Sequence, residues 1–385
     1  MRTGIPGYRL PKKIIDSQID FLKNVDVEIL TNISVGKDLT LDDLKDQGYQ
    51  SVFFAFGAQQ SKELKVEGSN SDGVILGLDF LRDLNLKKEI PQVGNKVIVI
   101  GGGNVAIDVA LSVARVGAKE VEIVCLEQQD KMPAFAEGIN QAIEEGIKIT
   151  SGYGPKRINQ KKGEVTDIEL ARCVSVFNKK GEFSPIFDKG DTLSKNTDII
   201  ILAIGQSSDL SLLPKEIRKT GSETIEVNPI TLQTSVKGVF AGGEVVSGPG
   251  SVVEAINTGK KAARAMEGYL KGKDIDSWVE PVIKVVDNPP QNGMKTKDRN
   301  TSASLALEKR NQNFDEVNSG LTREAVMKEA QRCMTCGSKA IIPYDDCMTC
   351  FQCEIECPSD AVNVHPLKEA LPLALQYKDG GEINE

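Results

Sequence analysis

The feature that most restricts the fold is a strand, a glycine loop, a helix and a second strand in immediate succession. The run Lys96–Ile100 is typical of a buried strand, and Asn104–Val116 carries apolar residues on one helical face. Between them lies a G-x-G-x-x-A loop, Gly101–Ala106, and Val121–Cys125 favours the next strand. This succession predicts a βαβ unit that binds a dinucleotide.

The residues of the loop have separate predicted roles. Gly101 permits the tight turn, Gly103 lets the backbone approach a pyrophosphate, and Ala106 allows close packing of helix on strand. The pyrophosphate is expected at the helix N-terminus, where backbone N–H groups are unpaired. An ordinary glycine-rich turn is the alternative. The candidate nucleotide-binding residues of the loop are Gly101, Gly102, Gly103, Asn104, Val105 and Ala106.

An acidic residue follows the second strand at a position that selects the nucleotide. Glu127 lies roughly 20 residues after the glycines, where an acid accepts a hydrogen bond from the ribose 2′-OH of NAD. A 2′-phosphate would face Glu127 and Asp130, and like charges repel, while Lys131 is the only nearby base. The sequence therefore predicts NADH over NADPH. A solvated surface role for Glu127 is the alternative.

A cysteine run near the C-terminus predicts an iron–sulfur site. The spacing C-x2-C-x2-C-x3-C-P from Cys347 to Pro358 is that of bacterial ferredoxins. Its first three cysteines are expected to bind one [4Fe–4S] cluster, and by the ferredoxin rule Cys357 serves another. A second cluster and a tetrahedral zinc site both stay open. The candidate ligands are Cys333, Cys336, Cys347, Cys350, Cys353 and Cys357.

Length, charge and composition restrict the remaining possibilities. A chain of 385 residues predicts two or three domains, and its formal net charge of −8 argues against nucleic acid as a partner. No apolar stretch of about 18 residues or secretory signal is present, so no membrane span is expected. Clustered thiols favour metal binding in a reducing compartment, the cytoplasm, whereas Cys125 and Cys173 are expected to be buried core thiols. His365 is the only histidine, which argues against Ser-His catalysis.

Motifs along the chain resemble one family. They are Gly4–Lys12, Ala55–Ala58, Gly101–Asp108, Lys131–Ala134, Ala203–Gln206, Gly238–Glu244, Gly248–Ala255 and Glu329–Cys333. In this order they resemble the small subunit of glutamate synthase, whose wider family includes the flavin/iron–sulfur part of dihydropyrimidine dehydrogenase. The large subunit of the electron-bifurcating transhydrogenase also belongs to it. The resemblance implies that a hydride passes from nicotinamide to FAD and that electrons then leave through iron–sulfur clusters.

The fold implied by the resemblance is α/β, with two Rossmann-like dinucleotide-binding domains and a C-terminal ferredoxin-like domain. Val27–Leu30 and Ser51–Phe56 are predicted to be short buried strands. The further cofactor-binding residues that the resemblance implies are Gly57, Gly205, Gly243, Glu244, Gly250, Ser251 and Val252. The expected domains are residues 1–90 (partial FAD domain), 91–206 (NAD(P) domain), 207–270 (rest of the FAD domain), 271–320 (linker) and 321–385 (iron–sulfur domain).

The chain departs from the family at the FAD site. The family's FAD domain begins with its own G-x-G-x-x-G unit, upstream of the run at which this chain starts. The usual Ala-Thr-Gly is Ala55–Gly57, the usual Gly-Asp is Gly243-Glu244, and Leu126–Gln128 replaces the arginines for NADP. A partner chain that supplies the missing half is the favoured explanation. Loss of FAD and an incomplete sequence are the alternatives.

Two functions are compatible with these features. The first is an NADH-linked, flavin and iron–sulfur oxidoreductase subunit that works with other subunits, with ferredoxin or electron bifurcation as candidate links. The second is a non-catalytic electron-relay or scaffold subunit with a degenerate flavin site. The small subunit of a glutamate synthase itself is disfavoured by the short N-terminus and the lost arginines.

Overall fold

The computed structural model describes residues 1–25, 27–86, 93–278, 300–311 and 313–332, with the backbone alone for residues 330–332. The predicted iron ligands and most of the predicted linker therefore lie outside the described residues. The chain divides into two units. One comprises residues 1–228, 233–250 and 304–319, and the other comprises residues 229–232, 251–303 and 320–385.

The described helices and strands alternate along most of the first unit. The helices are α1 (Lys12–Asn24), α2 (Leu41–Asp46), α3 (Gly77–Asn85), α4 (Asn104–Arg115), α5 (Ala136–Glu144), α6 (Glu244–Ser247), α7 (Val252–Leu270), α8 (Leu307–Arg310) and α9 (Arg323–Arg332). The strands are β1 (Val52–Phe54), β2 (Gln60–Ser61), β3 (Val74–Leu76), β4 (Lys96–Ile100), β5 (Glu120–Cys125), β6 (Lys148–Ser151), β7 (Tyr153–Lys161), β8 (Glu164–Phe177), β9 (Phe183–Asn196), β10 (Ile199–Leu202), β11 (Gln206–Ser207) and β12 (Val239–Ala241).

Five described strands form a parallel sheet in the order β3-β10-β4-β5-β6. The predicted strand, helix and strand between residues 96 and 125 are β4, α4 and β5, which confirms the βαβ unit. Alternate residues of β4 enter two cores: Val97 and Val99 pack with α4, whereas Ile98 and Ile100 lie in a separate apolar cluster. The sheet includes β3 and so begins upstream of residue 91, where the predicted NAD(P) domain starts.

An antiparallel sheet covers the second face of the parallel sheet. Its strands β7, β8 and β9 contribute Ile158, Ile168 and Leu170 to the cluster that contains Ile98 and Ile100. A parallel sheet that is apolar on both faces needs a layer on each, and here helices supply one layer and this sheet the other.

A second strand pair lies at the other end of the first unit. β1 and β12 run parallel over a core that includes Leu41, Ile217 and Val245. Both strands agree with the predicted apolar runs. The predicted strand at Val27–Leu30 is wrong: the segment is irregular, and Val27, Ile29 and Leu30 are 46%, 42% and 62% exposed. The segment lacks a neighbouring strand among the described residues, and a strand needs one to pair its backbone.

The second unit is organised around α7. Ala262 and Ala265 of this helix are buried, and its Gly268 allows Trp278 to approach so closely that a Cβ there would lie 2.8 Å from Cζ2 of the indole. None of the helices in the described parts of the chain is long and apolar enough to cross a membrane.

Candidate functional site

The glycine loop occupies the carboxyl end of β4, as its sequence predicts. Gly101 donates its N–H to the carbonyl oxygen of Val124 at 2.9 Å, which ties the loop to β5. Gly101 has a φ of +142°, and a Cβ at this residue would lie 2.3 Å from the carbonyl oxygen of Ala203. Only glycine fits this turn, because an L side chain would meet both backbone strain and a clash.

The next two glycines have different surroundings. A Cβ at Gly102 would lie 2.8 Å from Oε2 of Glu127, so this glycine lets the carboxylate rest against the loop. A Cβ at Gly103 would meet no described atom within 4 Å. Gly103 immediately precedes α4, and the N–H groups of Asn104 and Val105 form no hydrogen bond with the described residues. The helix N-terminus is thus open to an anionic ligand.

The segment 132–135 closes on the loop from outside. Ala134 donates its N–H to the carbonyl oxygen of Gly102 at 3.1 Å, and Phe135 donates its N–H to Oδ1 of Asn104 at 2.9 Å. The Asn104 side chain therefore holds the loop in place. Ala106 is fully buried, in agreement with its predicted packing role.

Glu127 lies beside the loop with both its backbone and its side chain constrained. Its carbonyl oxygen accepts a hydrogen bond from the N–H of Gly152 at 2.9 Å, and its carboxylate faces Gly102. Burial, and then the nearby Glu127 carboxylate, raise the pKa of the Cys125 thiol to about 12. Cys125 and Cys173 are both buried free thiols, which confirms the expectation for them.

Arg172 and Gln128 also border this site, and no local spacing in the sequence indicates the contact. A Cβ at Gly152 would lie 2.6 Å from Nε2 of Gln128 and 3.5 Å from Cζ of Arg172. The guanidinium carbon of Arg172 lies 5.1 Å from the ring centroid of Tyr153, in a cation–π arrangement. Arg172 belongs to β8, far along the chain from the loop after β5.

A second cluster gathers four of the residues that the resemblance implies for FAD. Oε2 of Glu244 accepts a hydrogen bond from the N–H of Ala58 at 3.4 Å, and its Oε1 accepts one from the N–H of Gly250 at 3.3 Å. A Cβ at Gly57 would lie 3.3 Å from the same carboxylate. Gly243, directly before α6, has a φ of +71°. One carboxylate thus connects the loop after β1 with the loop after α6.

A cavity of about 1150 Å³ opens beside this cluster. Its wall includes the end of β1 and the following loop, residues 53–57, together with parts of residues 33–42 and 209–216. The volume is of the order found for sites that bind cofactor-sized molecules, roughly 300–1000 Å³. Val35 and Leu212, both on this wall, are 43% and 46% exposed.

The remaining candidates lie at two other places. Gly205 has a φ of +122° and follows β10, whose end is level with that of β4, so it lies at the same edge as the glycine loop. Ser251 and Val252 begin α7 in the second unit, where Ser251 and Glu254 form a capping box. The backbone N–H of Ser251, and then its hydroxyl, lower the pKa of Glu254. In the described ranges, no group of three or more His, Cys, Asp or Glu side chains could hold a metal ion.

Known proteins with related sequences include subunits of several redox enzymes. The beta subunit of the NADP(+)-dependent formate dehydrogenase of Moorella thermoacetica is 36% identical, over 87% of this chain and 49% of the relative. The NAD-dependent dihydropyrimidine dehydrogenase subunit PreT of Escherichia coli O157:H7 is 31% identical, over 71% of this chain and 60% of the relative. The glutamate synthase [NADPH] small chain of Azospirillum brasilense is 28% identical, over 70% and 59%. The chain thus spans only about half of the formate dehydrogenase subunit, at 49%.

A solved structure shares the fold. Mycobacterium tuberculosis FprA in complex with NADPH superposes with a TM-score of 0.59 and 17% sequence identity, covering 70% of this chain and 75% of FprA. The predicted Rossmann-like α/β class is therefore confirmed, as is the resemblance to glutamate synthase small subunits. The family model for pyridine nucleotide-disulphide oxidoreductases matches residues 5–259. With this match over more than half of its length, the chain belongs to the pyridine nucleotide-disulphide oxidoreductase family.

Proposed function

We propose that this chain is a subunit of an oxidoreductase complex that passes electrons between NADH, a flavin and [4Fe–4S] clusters. The observation that carries the proposal is the open N-terminus of α4 above Gly103, with the Glu127 carboxylate beside it. The first feature suits a pyrophosphate and the second a ribose hydroxyl. Family membership supports the proposal, and so do the names of three relatives, each a subunit or chain named for a nicotinamide nucleotide.

The preference for NADH rests on charge. The carboxylate of Glu127 approaches Gly102, so a 2′-phosphate bound at the ribose would lie close to a negative charge. The relatives do not decide the matter, because two are named for NADP or NADPH and one for NAD.

For the flavin, the residues present fit one side of a site. Glu244 holds two glycine-containing loops together beside a cavity of about 1150 Å³. When bound, FAD would supply the exchange between hydride and single-electron chemistry. The loops around Gly57 and Gly250 would position it.

We further propose that a partner subunit supplies the other side of the flavin site. The apolar segment Val27–Leu30 is exposed, and the described strands pair with only one edge of β1. Exposed apolar side chains and an unpaired strand edge are features that favour association with another chain.

The cysteines provide the proposed exit for electrons. Cys347, Cys350 and Cys353 would ligate one [4Fe–4S] cluster, and Cys333, Cys336 and Cys357 would contribute to the same or a second cluster. Clustered thiols of this kind suit a reducing compartment, the cytoplasm, and ferredoxin is a candidate partner.

Anaerobic purification of the complex with its partner subunits tests the proposal. We expect bound flavin, iron and acid-labile sulfide, and bleaching of the flavin absorbance on addition of NADH. Cys350→Ser should reduce the iron and sulfide content but leave nucleotide binding unchanged, whereas Glu127→Gln should weaken NADH binding and leave the iron content unchanged.

The second candidate function is a relay or scaffold that does not react with nucleotide. The altered loops Ala55–Gly57 and Gly243-Glu244 favour it. A complex that contains flavin and iron, but whose spectrum NADH and NADPH both leave unchanged, would favour this function over the first.

A further inference from the structure

Arg172 is a cation placed beside the nucleotide site by tertiary structure alone. Across the β7–β8 pair it lies opposite Tyr153, and its guanidinium carbon is 5.1 Å from the Tyr153 ring centroid. The Tyr153 hydroxyl donates a hydrogen bond to Oδ1 of Asp191 at 3.2 Å, which orients the ring. Arg172 forms no ion pair with any residue that the structure describes. A half-buried guanidinium that is held in place and lacks a carboxylate partner is suited to bind an anion.

Gly152 joins Arg172 to the ribose-binding end of the site. The N–H of Gly152 donates to the carbonyl oxygen of Glu127 at 2.9 Å. A Cβ at Gly152 would lie 2.6 Å from the side-chain nitrogen of Gln128 and 3.5 Å from Cζ of Arg172. Glu127, Gln128 and Arg172 therefore border the same glycine, at the carboxyl end of β6 where the strands of the parallel sheet end.

We infer that Arg172 and Gln128 form a subsite for the 2′-phosphate of NADPH, so that this chain accepts NADPH as well as NADH. The inference rests on the proposed function, because it concerns the same nucleotide site. The guanidinium can donate two parallel hydrogen bonds to phosphate oxygens, and the amide nitrogen of Gln128 can donate a third.

The arrangement also explains why the loop after β5 does not reveal the subsite. Residues 126–130 contain two acids and no base, so this loop alone predicts exclusion of a 2′-phosphate. The compensating cation comes from β8, which the pairing of β7 with β8 brings to the end of β6. Glu127 then weakens NADPH binding while Arg172 strengthens it, and NADH is affected chiefly by Glu127.

Dissociation constants of the full chain for NADH and NADPH, measured by titration calorimetry at one fixed salt concentration, test the inference. Arg172→Gln should weaken NADPH binding by at least about tenfold and NADH binding by less than about twofold, because hydrogen bonds to charged groups are the stronger kind. Arg172→Lys keeps the charge but loses the bidentate geometry, and should give an intermediate NADPH affinity. Arg157→Gln on β7 is the matched control, since Arg157 pairs with Glu67 at 3.2 Å.

The outcomes separate this inference from the proposed function. If Arg172→Gln leaves NADPH binding unchanged, or weakens both nucleotides equally, the subsite is overturned while NADH binding still supports the function. If the wild-type chain binds NADH but shows no NADPH binding, the subsite is likewise overturned. Failure of the wild-type chain to bind either nucleotide overturns both. Circular dichroism of each variant shows that it is folded, and Arg172→Lys provides the readout if Arg172→Gln is not.

Discussion

Replacement of Gly103 by alanine should abolish tight nucleotide binding without disturbing the fold. Gly103 has φ −91° and ψ 176°, backbone angles that alanine adopts without strain. A Cβ at this position would meet no described atom within 4 Å. The folded protein therefore accommodates the methyl group, and the change at the helix N-cap should alter stability by only about 1 kcal/mol or less.

The bound nucleotide does not accommodate it. The proposed pyrophosphate must approach the free N–H groups of Asn104 and Val105, and the new methyl group occupies the space through which it does so. A hydrogen bond to a charged group contributes about 1.5–3 kcal/mol, and each 1.4 kcal/mol corresponds to about tenfold in affinity. Loss of one such bond raises the dissociation constant about 10- to 100-fold, and loss of both raises it further.

Titration calorimetry with NADH measures the change directly. Gly221→Ala is the matched control, because it makes the same substitution at a glycine whose Cβ would also meet no described atom within 4 Å, away from the loop. Gly221→Ala should bind NADH as the wild type does. The reasoning would be refuted if folded Gly103→Ala bound NADH within about twofold of the wild type.

Three further predictions concern other parts of the chain. Glu145→Gln should destabilise the protein by about 3–5 kcal/mol, because it leaves Arg115 buried without its carboxylate partner. Glu144→Gln, at a side chain that is 61% exposed, should destabilise it by less than about 1 kcal/mol; equal effects in urea unfolding followed by circular dichroism would contradict this difference. Because its pKa is about 12, Cys125 should react with iodoacetamide at pH 8 roughly 1000-fold more slowly than an ordinary thiol, and faster as the pH rises. Peptide mass mapping measures this rate, and a rate near that of free cysteine would refute the expectation. Ser251→Ala should destabilise α7 by about 1 kcal/mol through loss of its cap, and an unchanged unfolding midpoint in the fluorescence of the only tryptophan would argue against it.

The parts of the fold that were predicted correctly are those whose signals are local. β4, α4 and β5 each carry a continuous apolar pattern, and the glycine loop between them has a fixed length. The antiparallel sheet was not predicted, because β8 and β9 gain their stability from cross-strand partners rather than from a pattern within each strand. Val27–Leu30 shows the converse, since an apolar run does not form a strand without a neighbour among the described residues.

The candidate site follows the same division. Gly101, Gly103 and Glu127 belong to one local motif, and their predicted positions agree with the structure. Arg172 reaches the site only through the register of β7 with β8, and a single sequence does not specify such a register. Nucleotide selectivity is therefore harder to predict than nucleotide binding, because the helix N-terminus is local whereas the groups around the ribose come from several strands.

The N-terminal motif used to recognise the family has a structural explanation that does not involve a cofactor. Nε of Arg9 donates to Oδ1 of Asp108 at 2.7 Å, and the Tyr8 hydroxyl donates to the carbonyl oxygen of the same residue at 3.2 Å. Arg115 stacks on Tyr8, with its guanidinium carbon 4.0 Å from the ring centroid. Burial raises the pKa of Asp108, and the nearby Arg9 opposes that shift. Asp108 and Arg115 both lie on α4, so the motif anchors the helix whose N-terminus is proposed to bind the pyrophosphate. Loss of Arg9 would leave a buried carboxylate without its cation, which is far more costly than loss of an exposed pair, and the N-terminal segment is therefore bound firmly to the nucleotide-binding helix.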